Sequence, residues 1–533
     1  MTLEQKIGQF FFPAVFINDT EENFLAIERL ITEHNIGGLT FFHSRASAAT
    51  NYEKNKEVEI IEDSFEKLKA LVIRFQKCAT TPLLMSIDAE WGLAMRIENT
   101  PQYPYAISLG ALPERYEYLA YEVGKRTGLD LRAAGIHYNL APLADVNNNP
   151  NNPVIGYRSF GQNKEKVSNC AAEYIRGLQE VGVLSCLKHF PGHGNTSVDS
   201  HLGLPILEES LDQLMENELV PFIKGIENKV DSIMIGHLAV PALNDGKNTS
   251  ATLSKNIIEK LLRDQLGYDG LVISDALNMH SVSKLYDIKG QLEWEAFNAG
   301  NDVLCFAENV AEGIQAILKN ASPERIEASL NRILKCKQKA GILDGNFAPE
   351  GEFDLEATSI LNRLIADKST TKIKDNNSSL HLFEAKNNAK LAKLSLYKSN
   401  DNIFFKSLNI VLPSKKFALE NGDATAIAQM KEDLKAFDTI LVTLFVPKAK
   451  PLNNFDIDDN VLTFLGELFS TKKCVLYHFG NPYALQVIPN LKSTIGIIQV
   501  YQDFREFQES AARQLLRNSR CRGELPVKIS GIK

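Results

Sequence analysis

Short apolar runs alternate with longer segments of helical character over the first 345 residues. The first segment between two runs, residues 21–34, places its apolar residues at helical spacing, and a last helix is predicted at residues 323–340. Eight buried strands that alternate with helices predict an α/β fold with an N-terminal (β/α)8 barrel of the TIM type. The eight apolar runs are residues 10–16, 36–42, 83–88, 136–146, 183–190, 232–237, 271–275 and 302–306.

Nearly every predicted strand of this series closes on a polar side chain. In a barrel the carboxyl ends of the strands converge on one face, and active sites of this fold lie there. One such residue is easily explained as a cap, but six in one register predict a shared site. The six residues are Asp88, Asp145, Lys188, His189, His237 and Asp275.

A different pattern follows residue 345. Residues 346–380 are predicted to be a linker, with a helix at 355–366 and a polar stretch after it. Beyond them, apolar runs at 408–412, 439–445, 474–479 and 495–500 alternate with helical segments. This pattern predicts a smaller, open α/β sandwich domain. The predicted division of the chain is therefore 1–345, 346–380 and 381–533.

One segment combines loop-forming residues with reactive side chains. From Lys188 to His201 the chain reads K-H-F-P-G-H-G-N-T-S-V-D-S-H, directly after the apolar run 183–187. Its proline and glycines break regular structure, and we expect a loop that moves. Asp199 stands two residues before His201, so its carboxylate can reach the imidazole, fix the tautomer and raise the basicity of the ring. Such a pair suits proton transfer near neutral pH.

The same segment admits a second interpretation as a zinc site. Its ligands would be His189, His193 and His201. The helical H-E-x-x-H spacing and the cysteine pairs of common zinc sites are absent from the sequence, which favours proton transfer.

The pattern K-H-F-P-G-H-G, four variable residues, then D-S-H resembles the signature of family 3 glycoside hydrolases, in their β-N-acetylglucosaminidase branch. The resemblance implies that His201 is the general acid/base, held by Asp199. Asp275, in G-L-V-I-S-D-A-L-N-M, resembles the nucleophile of the family. The implied activity is that of a retaining exo-β-N-acetylglucosaminidase working by double displacement. A structural aspartate that caps the next helix is the alternative for Asp275.

The resemblance also implies a polar sugar pocket. Asp88, in I-D-A-E-W-G, and Arg96 match family positions that bind sugar hydroxyls. The family commonly has E-G-G-R after this aspartate, whereas this chain has E-W-G-L, so we expect a loop of different shape. The other residues expected in the pocket are Arg158 in G-Y-R-S-F-G, Lys188, His189 and His237.

Composition limits the partners of the chain. The net charge of −8, without a basic run of five residues, argues against nucleic acid. The sequence contains neither an apolar run of membrane-spanning length nor a visible secretory signal. Seven scattered cysteines suit reduced thiols in a cytosol. We expect a cytoplasmic enzyme that acts on a small carbohydrate, such as cell-wall muropeptides, without cofactor, metal or membrane partner; the oligomeric state stays open.

Three other functions agree with part of the sequence. A phosphorylase is conceivable, because a neutral histidine base repels phosphate less than a carboxylate does. A family 3 β-glucosidase takes its acid/base from the second domain and lacks the G-H-G…D-S-H segment. A silent sugar-binding protein usually loses one of Asp275, Asp199 and His201, which are all present. Substrate-assisted catalysis relies on a neighbouring acid pair, and the sequence contains no Asp-Glu dipeptide.

Overall fold

A computed structural model describes residues 1–45, 60–198, 203–375, 390–517 and 520–531. The chain forms two compact units. Unit 1 comprises residues 1–103, 120–155 and 167–358, and unit 2 comprises residues 104–119, 156–166 and 359–533. Both units are α/β structures with parallel sheets. Among the described residues, no helix is both long and apolar enough to span a membrane.

All strand pairings of unit 1 are parallel, and apart from the pair β1-β9 they join strands that follow one another in the chain. They are β1 (Phe11–Phe12), β2 (Ala14–Phe16), β3 (Gly38–Phe42), β4 (Leu84–Ile87), β5 (Tyr138–Asn139), β6 (Cys186–Phe190), β7 (Ser232–Ile235), β8 (Leu271–Ser274) and β9 (Leu304–Cys305). The pairings are β2-β3-β4-β5, β6-β7-β8 and β1-β9. Isolated parallel bridges join Tyr138 to Leu184 and Ile273 to Val303. Each strand of unit 1 lies within an apolar run predicted from the sequence.

Helices separate these strands. The predicted helices at 21–34 and 323–340 are confirmed as Glu21–His34 and Pro323–Lys339. Both begin at a side-chain cap, because Thr20 accepts from the N–H of Asn23 and Ser322 from that of Arg325. The remaining helices of this part are Leu3–Gly8, Ser64–Cys78, Leu119–Ala134, Lys164–Glu180, Leu211–Glu216, Val220–Glu227, the π-helix Asn256–Gln265, His280–Ser283, Gln291–Ala299 and Val310–Asn320.

A buried ion cluster fixes the strand beginnings of unit 1, on the side away from the predicted site. Asp302 stands before β9, is fully buried, and contacts Arg263 at 2.7 Å, Arg325 at 3.1 Å and Arg332 at 3.2 Å. Burial alone would raise the pKa of Asp302, but the three guanidinium groups outweigh it and the pKa is lowered. The cluster ties helix Pro323–Lys339 to the sheet through charge and not only through apolar packing.

Unit 2 contains a sheet of strand order β10-β15-β14-β13-β11-β12, in which only the β10–β15 pairing is antiparallel. The strands are β10 (Thr371–Asp375), β11 (Leu391–Leu396), β12 (Lys415–Leu419), β13 (Thr439–Phe445), β14 (Lys473–Phe479) and β15 (Gly496–Gln499). Its helices are Ala106–Gly110, Leu355–Ser369, which runs in from unit 1, Ile403–Asn409, Ala424–Leu434, Asp459–Thr471 and Arg505–Leu516.

The sequence prediction for this unit does not include β11 and β12, and it is wrong at two further places. The run 408–412, predicted as a strand, lies where helix Ile403–Asn409 ends, and Ile410 is 85% exposed. The helix is set by Asn402, whose side chain accepts from the N–H of Phe405 at 2.8 Å. The polar stretch after residue 366 was predicted to contain no strand, but it contains β10. This strand lies at the edge of the sheet, where its hydrogen bonds with β15 allow a polar sequence to form a strand.

Candidate functional site

Polar residues follow the strands of unit 1 at their carboxyl ends. Asp88 is the first residue after β4 and Asp275 the first after β8, and both strands are buried throughout. Lys188 and His189 belong to β6 itself, which is also buried along its length. Because parallel strands end on one edge, the fold brings these residues to the same side of the sheets.

Lys188 forms the centre of an ion cluster at this edge. Its Nζ lies 2.8 Å from Asp88 Oδ1 and 2.8 Å from Glu90 Oε1, and its side chain is only 2% exposed. Arg96 contacts the other oxygen of Asp88 at 2.9 Å, and its guanidinium lies over the ring of Phe42. Asp88 and Arg96 therefore contact each other, and Glu90 is a further carboxylate in the cluster that was not predicted from the sequence.

The charge of Asp88 is fixed by this cluster. Burial would raise its pKa, but the charges and hydrogen bonds of Lys188 and Arg96 prevail and hold the pKa well below its usual range. The carboxylate is thus ionised at neutral pH while 20% of its side chain stays exposed. An exposed edge of a fixed carboxylate, flanked by two cations, can accept hydrogen bonds from hydroxyl groups.

The backbone after Asp88 is held by residues from other elements. Asn139 in β5 brackets Ala89, accepting from its N–H at 3.1 Å and donating to its carbonyl at 3.2 Å. The hydroxyl of Tyr174 donates to the same carbonyl at 3.1 Å. Asp88 and Glu90 are consequently positioned by long-range packing, which no local sequence signal indicates.

Asp145 organises the histidines of the loop. Its Oδ2 lies 2.8 Å from Nδ1 of His189, and its Oδ1 accepts from the backbone N–H of His189 and of His193, the latter at 2.7 Å. Since a carboxylate only accepts, Nδ1 of His189 carries the proton and Nε2 is left unprotonated in the neutral ring. The structure therefore contains a carboxylate–histidine pair that precedes the predicted Asp199–His201 pair in the chain.

His193 is enclosed by the protein. Its Nδ1 lies 2.6 Å from the Thr196 hydroxyl, and Asn152 donates to its carbonyl at 2.8 Å. Burial, followed by the charge of His189, lowers the pKa of His193 to about 4. The ring is neutral at physiological pH, and its role is structural.

The described part of the loop is packed. A Cβ on Gly194 would lie 1.8 Å from the carbonyl oxygen of Val146, and Gly192, at φ +129°, would bring a Cβ to 2.8 Å from Glu218. Both glycines are thus needed for close approach or backbone conformation. The mobility predicted for the whole loop does not fit residues 191–196, which are buried or partly buried and tethered.

Asp275 is fixed through its backbone. Its N–H donates to the carbonyl of Ile235, and its Oδ1 accepts from the N–H of Ala276 at 2.8 Å. His237 reaches the same place, since its Nε2 lies 2.9 Å from the carbonyl of Ala276. A carbonyl only accepts, so Nε2 carries a proton, and Nδ1 lies 2.8 Å from the Thr252 hydroxyl. Both ring nitrogens of His237 serve to position the segment after Asp275.

Six of the predicted site residues lie at or next to the carboxyl ends of the strands of unit 1. They are Asp88, Arg96, Lys188, His189, His237 and Asp275. The thiol of Cys305, at the end of β9, is buried there, and burial raises its pKa.

Three of the predicted site residues are not among these six. Asp199 and His201 lie outside the described residues. Arg158 ends the short 3₁₀ helix Gly156–Arg158 in unit 2, so its predicted place in the pocket stays a prediction.

Comparison with known proteins agrees with these observations. Residues 2–336 match the model of the glycosyl hydrolase family 3 N terminal domain. The chain is 33% identical over 340 residues to "Beta-hexosaminidase A" of Pseudoalteromonas piscicida, covering 59% of this chain and 55% of that protein. It is 29% identical over 298 residues to "Beta-hexosaminidase" of Methylobacillus flagellatus, covering 55% of this chain and 79% of the relative.

A solved structure matches nearly the whole length. The family 3 β-N-acetylglucosaminidase of Paenibacillus sp. str. FPU-7 superposes with a TM-score of 0.79 at 26% identity, covering 99% of both chains. The curated relatives are matched over a smaller share, and the chain spans about half the length of the Pseudoalteromonas protein. The family model covers well over half of this chain, so the chain belongs to glycosyl hydrolase family 3.

Proposed function

We propose that the protein hydrolyses terminal β-linked N-acetylglucosamine from glycosides with retention of configuration. The observation that carries the proposal is Asp275 fixed at the end of β8, on the edge that also holds the Asp88–Lys188 ion cluster, in a chain of family 3. The names of the matched relatives and of the Paenibacillus structure support the choice of sugar.

In this mechanism Asp275 attacks the anomeric carbon and forms a glycosyl-enzyme, which water then hydrolyses. His201, oriented by Asp199, donates a proton to the leaving oxygen and later accepts one from water. Asp88, Arg96 and Lys188 bind sugar hydroxyls, and His189, held by Asp145, is a further polar contact. His237 positions the nucleophile segment and does not need to touch the sugar.

The first experiment compares aryl β-glycosides of N-acetylglucosamine, glucose and xylose, with and without inorganic phosphate. We expect turnover of the N-acetylglucosaminide with release of free sugar. Dominant glucoside turnover, or formation of a sugar 1-phosphate that depends on phosphate, would replace the proposal by a β-glucosidase or a phosphorylase.

The second experiment assigns the residues. A slow 2-fluoro substrate is expected to label Asp275, and Asp275→Ala to lose turnover while the thermal unfolding temperature is kept. His201→Ala is expected to slow natural disaccharides more than aryl glycosides with good leaving groups, and azide is expected to restore deglycosylation. Label on another carboxylate, or equal losses without rescue, would overturn the corresponding role.

We also propose that the strands of unit 1 close into a (β/α)8 barrel. The chain-order pairing, with bridges from Tyr138 to Leu184 and from Ile273 to Val303, supports this closure. The division 1–345, 346–380 and 381–533, the cytoplasmic location and the muropeptide source of the substrate remain predictions from the sequence.

A further inference from the structure

A polar cavity of about 80 Å³ lies beside the segment that follows β8 and Asp275. Its lining comes from the segment after β8, from helix Gln291–Ala299 and from the segment after β9. Leu277, two residues after Asp275, contributes to it, and the N–H of Leu277 donates to the carbonyl of Cys305 at 2.9 Å. This hydrogen bond joins the two segments, so the cavity stands on the rim of the proposed active site.

Glu293 is the residue of this cavity with a carboxylate oxygen that no donor in the described part of the chain satisfies. Its side chain is buried, with 1% of the residue exposed, and Oε1 accepts from the N–H of Asn309 at 3.0 Å and from its Nδ2 at 3.2 Å. Oε2 is also buried, but among the described residues it has no hydrogen-bond partner. A carboxylate oxygen can only accept, so a donor has to satisfy it.

The other charged side chains that line the cavity also favour a positively charged ligand. Glu308 and Asp287 are further carboxylates, against the single lining ammonium of Lys289, which is 74% exposed and 4.0 Å from Glu312. Partial burial and the charge of Glu293 raise the pKa of Glu308. Arg45, the cation that opposes this shift, is itself paired with Asp19 at 2.9 Å.

The nature of the ligand follows from the donor set. A volume of about 80 Å³ accommodates an ammonium group with a few waters. Among the described parts of the chain, no three His, Cys, Asp or Glu side chains converge to hold a metal ion. A hydrogen-bonding monovalent cation therefore fits these carboxylates better than a divalent metal does.

We propose that this cavity binds a small cation of the ammonium type, supplied either by a free ion or by an amine on the sugar that follows the scissile bond. The second source rests on the proposed function. It would direct the enzyme towards substrates whose leaving sugar is glucosamine and not N-acetylglucosamine.

The first arm of the test uses no substrate. Thermal unfolding is measured in ammonium chloride and, at equal ionic strength, in tetramethylammonium chloride, whose cation has no N–H to donate. A rise of about 3 °C is expected with ammonium at tenfold excess over Kd. Glu308→Gln, at the exposed rim, and Glu293→Gln should lose the rise, whereas Glu295→Gln, on the same helix but outside the lining, should keep it.

The second arm compares kcat/KM for N-acetylglucosaminyl-β-1,4-glucosamine and N-acetylglucosaminyl-β-1,4-N-acetylglucosamine. If the amine occupies the cavity, the first substrate should be preferred about tenfold, because a charged hydrogen bond contributes about this much. Both Gln variants of the lining should abolish the preference, and the Glu295 variant should retain it.

Either positive arm supports the cavity and identifies the source of its cation. Absence of both effects, or their persistence in Glu293→Gln and Glu308→Gln, overturns the proposal. Failure to turn over an aryl β-N-acetylglucosaminide instead overturns the proposed function, and the unfolding arm still decides whether the cavity binds a cation.

Discussion

Replacing Lys188 with methionine removes an ammonium group that contacts two carboxylates at 2.8 Å while only 2% of its side chain is exposed. Removing one partner of a buried ion pair costs about 3–5 kcal/mol, because the other charge stays buried. In the variant Asp88 still contacts Arg96 at 2.9 Å, and 20% of its side chain is exposed to water. We therefore expect a loss in the free energy of unfolding at the lower end of this range, about 3 kcal/mol. In a domain of this size that lowers the unfolding temperature by about 6 °C.

The pH dependence identifies the cause of this loss. In the wild type the pKa of Asp88 is depressed, so its stabilising contribution is present above the unfolded-state pKa near 3.8 and is lost only as the pH falls through the still lower folded value. Between about pH 7 and pH 5 it is therefore constant. Without Lys188 the pKa of Asp88 moves upward, and the deficit of the variant should shrink as the pH falls.

The assay is thermal unfolding followed by circular dichroism at both pH values. Lys224→Met, which removes an exposed pair with Glu227 at 3.8 Å, is the control and should cost less than about 1 kcal/mol. Adding Glu90→Gln to Lys188→Met should recover part of the loss, since it removes one of the two carboxylates. An unchanged unfolding temperature, or a deficit equal at both pH values, would refute this account of the cluster.

Three further substitutions test other parts of the structure. Gly194→Ala should cost about 2 kcal/mol, because its Cβ meets a backbone oxygen at 1.8 Å, whereas Gly203→Ala, with its nearest neighbour at 3.6 Å, should be nearly neutral; equal unfolding temperatures would contradict the packed loop. His237→Phe removes the hydrogen bond to Ala276 and should lower kcat about 10–100-fold with inhibitor binding retained; unchanged kcat would argue against the positioning role. Burial lowers the pKa of Lys337 in the folded protein to about 7. Between this pH and the ordinary lysine pKa of 10.5, the side chain is protonated in the unfolded chain but not in the folded protein, so the free energy of unfolding rises with pH. Lys337→Met should therefore compare more favourably with the wild type at about pH 6 than at about pH 9, and a difference independent of pH would reject the buried lysine as its cause.

Much of the fold follows from local patterns. The apolar runs of unit 1 are strands because they are short, buried and bounded by breakers, and both predicted helices begin at side-chain caps. The errors lie where local and tertiary preferences disagree. β11 is not predicted from the sequence pattern, because the strand carries a lysine, Lys393, at a buried position. The ammonium group of Lys393 donates to the backbone carbonyl of Leu412 at 2.6 Å. The apolar residues 410–412 just beyond the helix imitate a strand.

The candidate site likewise contains residues that can be predicted from the sequence and supporting contacts that cannot. Polar residues at strand ends, such as Asp88, Lys188 and Asp275, can be predicted from the sequence, because the end of an apolar run marks the end of a strand. Their supports are not, since Tyr174 reaches the backbone of Ala89 across 85 positions of the chain. Such contacts depend on how helices pack against the sheets, and no spacing in the sequence encodes them.

The charge states at the strand ends bear on how the proposed reaction moves its proton. The pKa of Asp88 lies below its usual range and that of His193 near 4, so neither group changes charge around neutrality. His237 uses both ring nitrogens to hold the chain beside Asp275. A proton that is donated and taken back within one catalytic cycle has to come from a group that titrates near the working pH. This requirement excludes Asp88 and His193. It does not by itself exclude His189 or His237, and the motif K-H-F-P-G-H-G…D-S-H is the reason why the proposal gives proton transfer to His201.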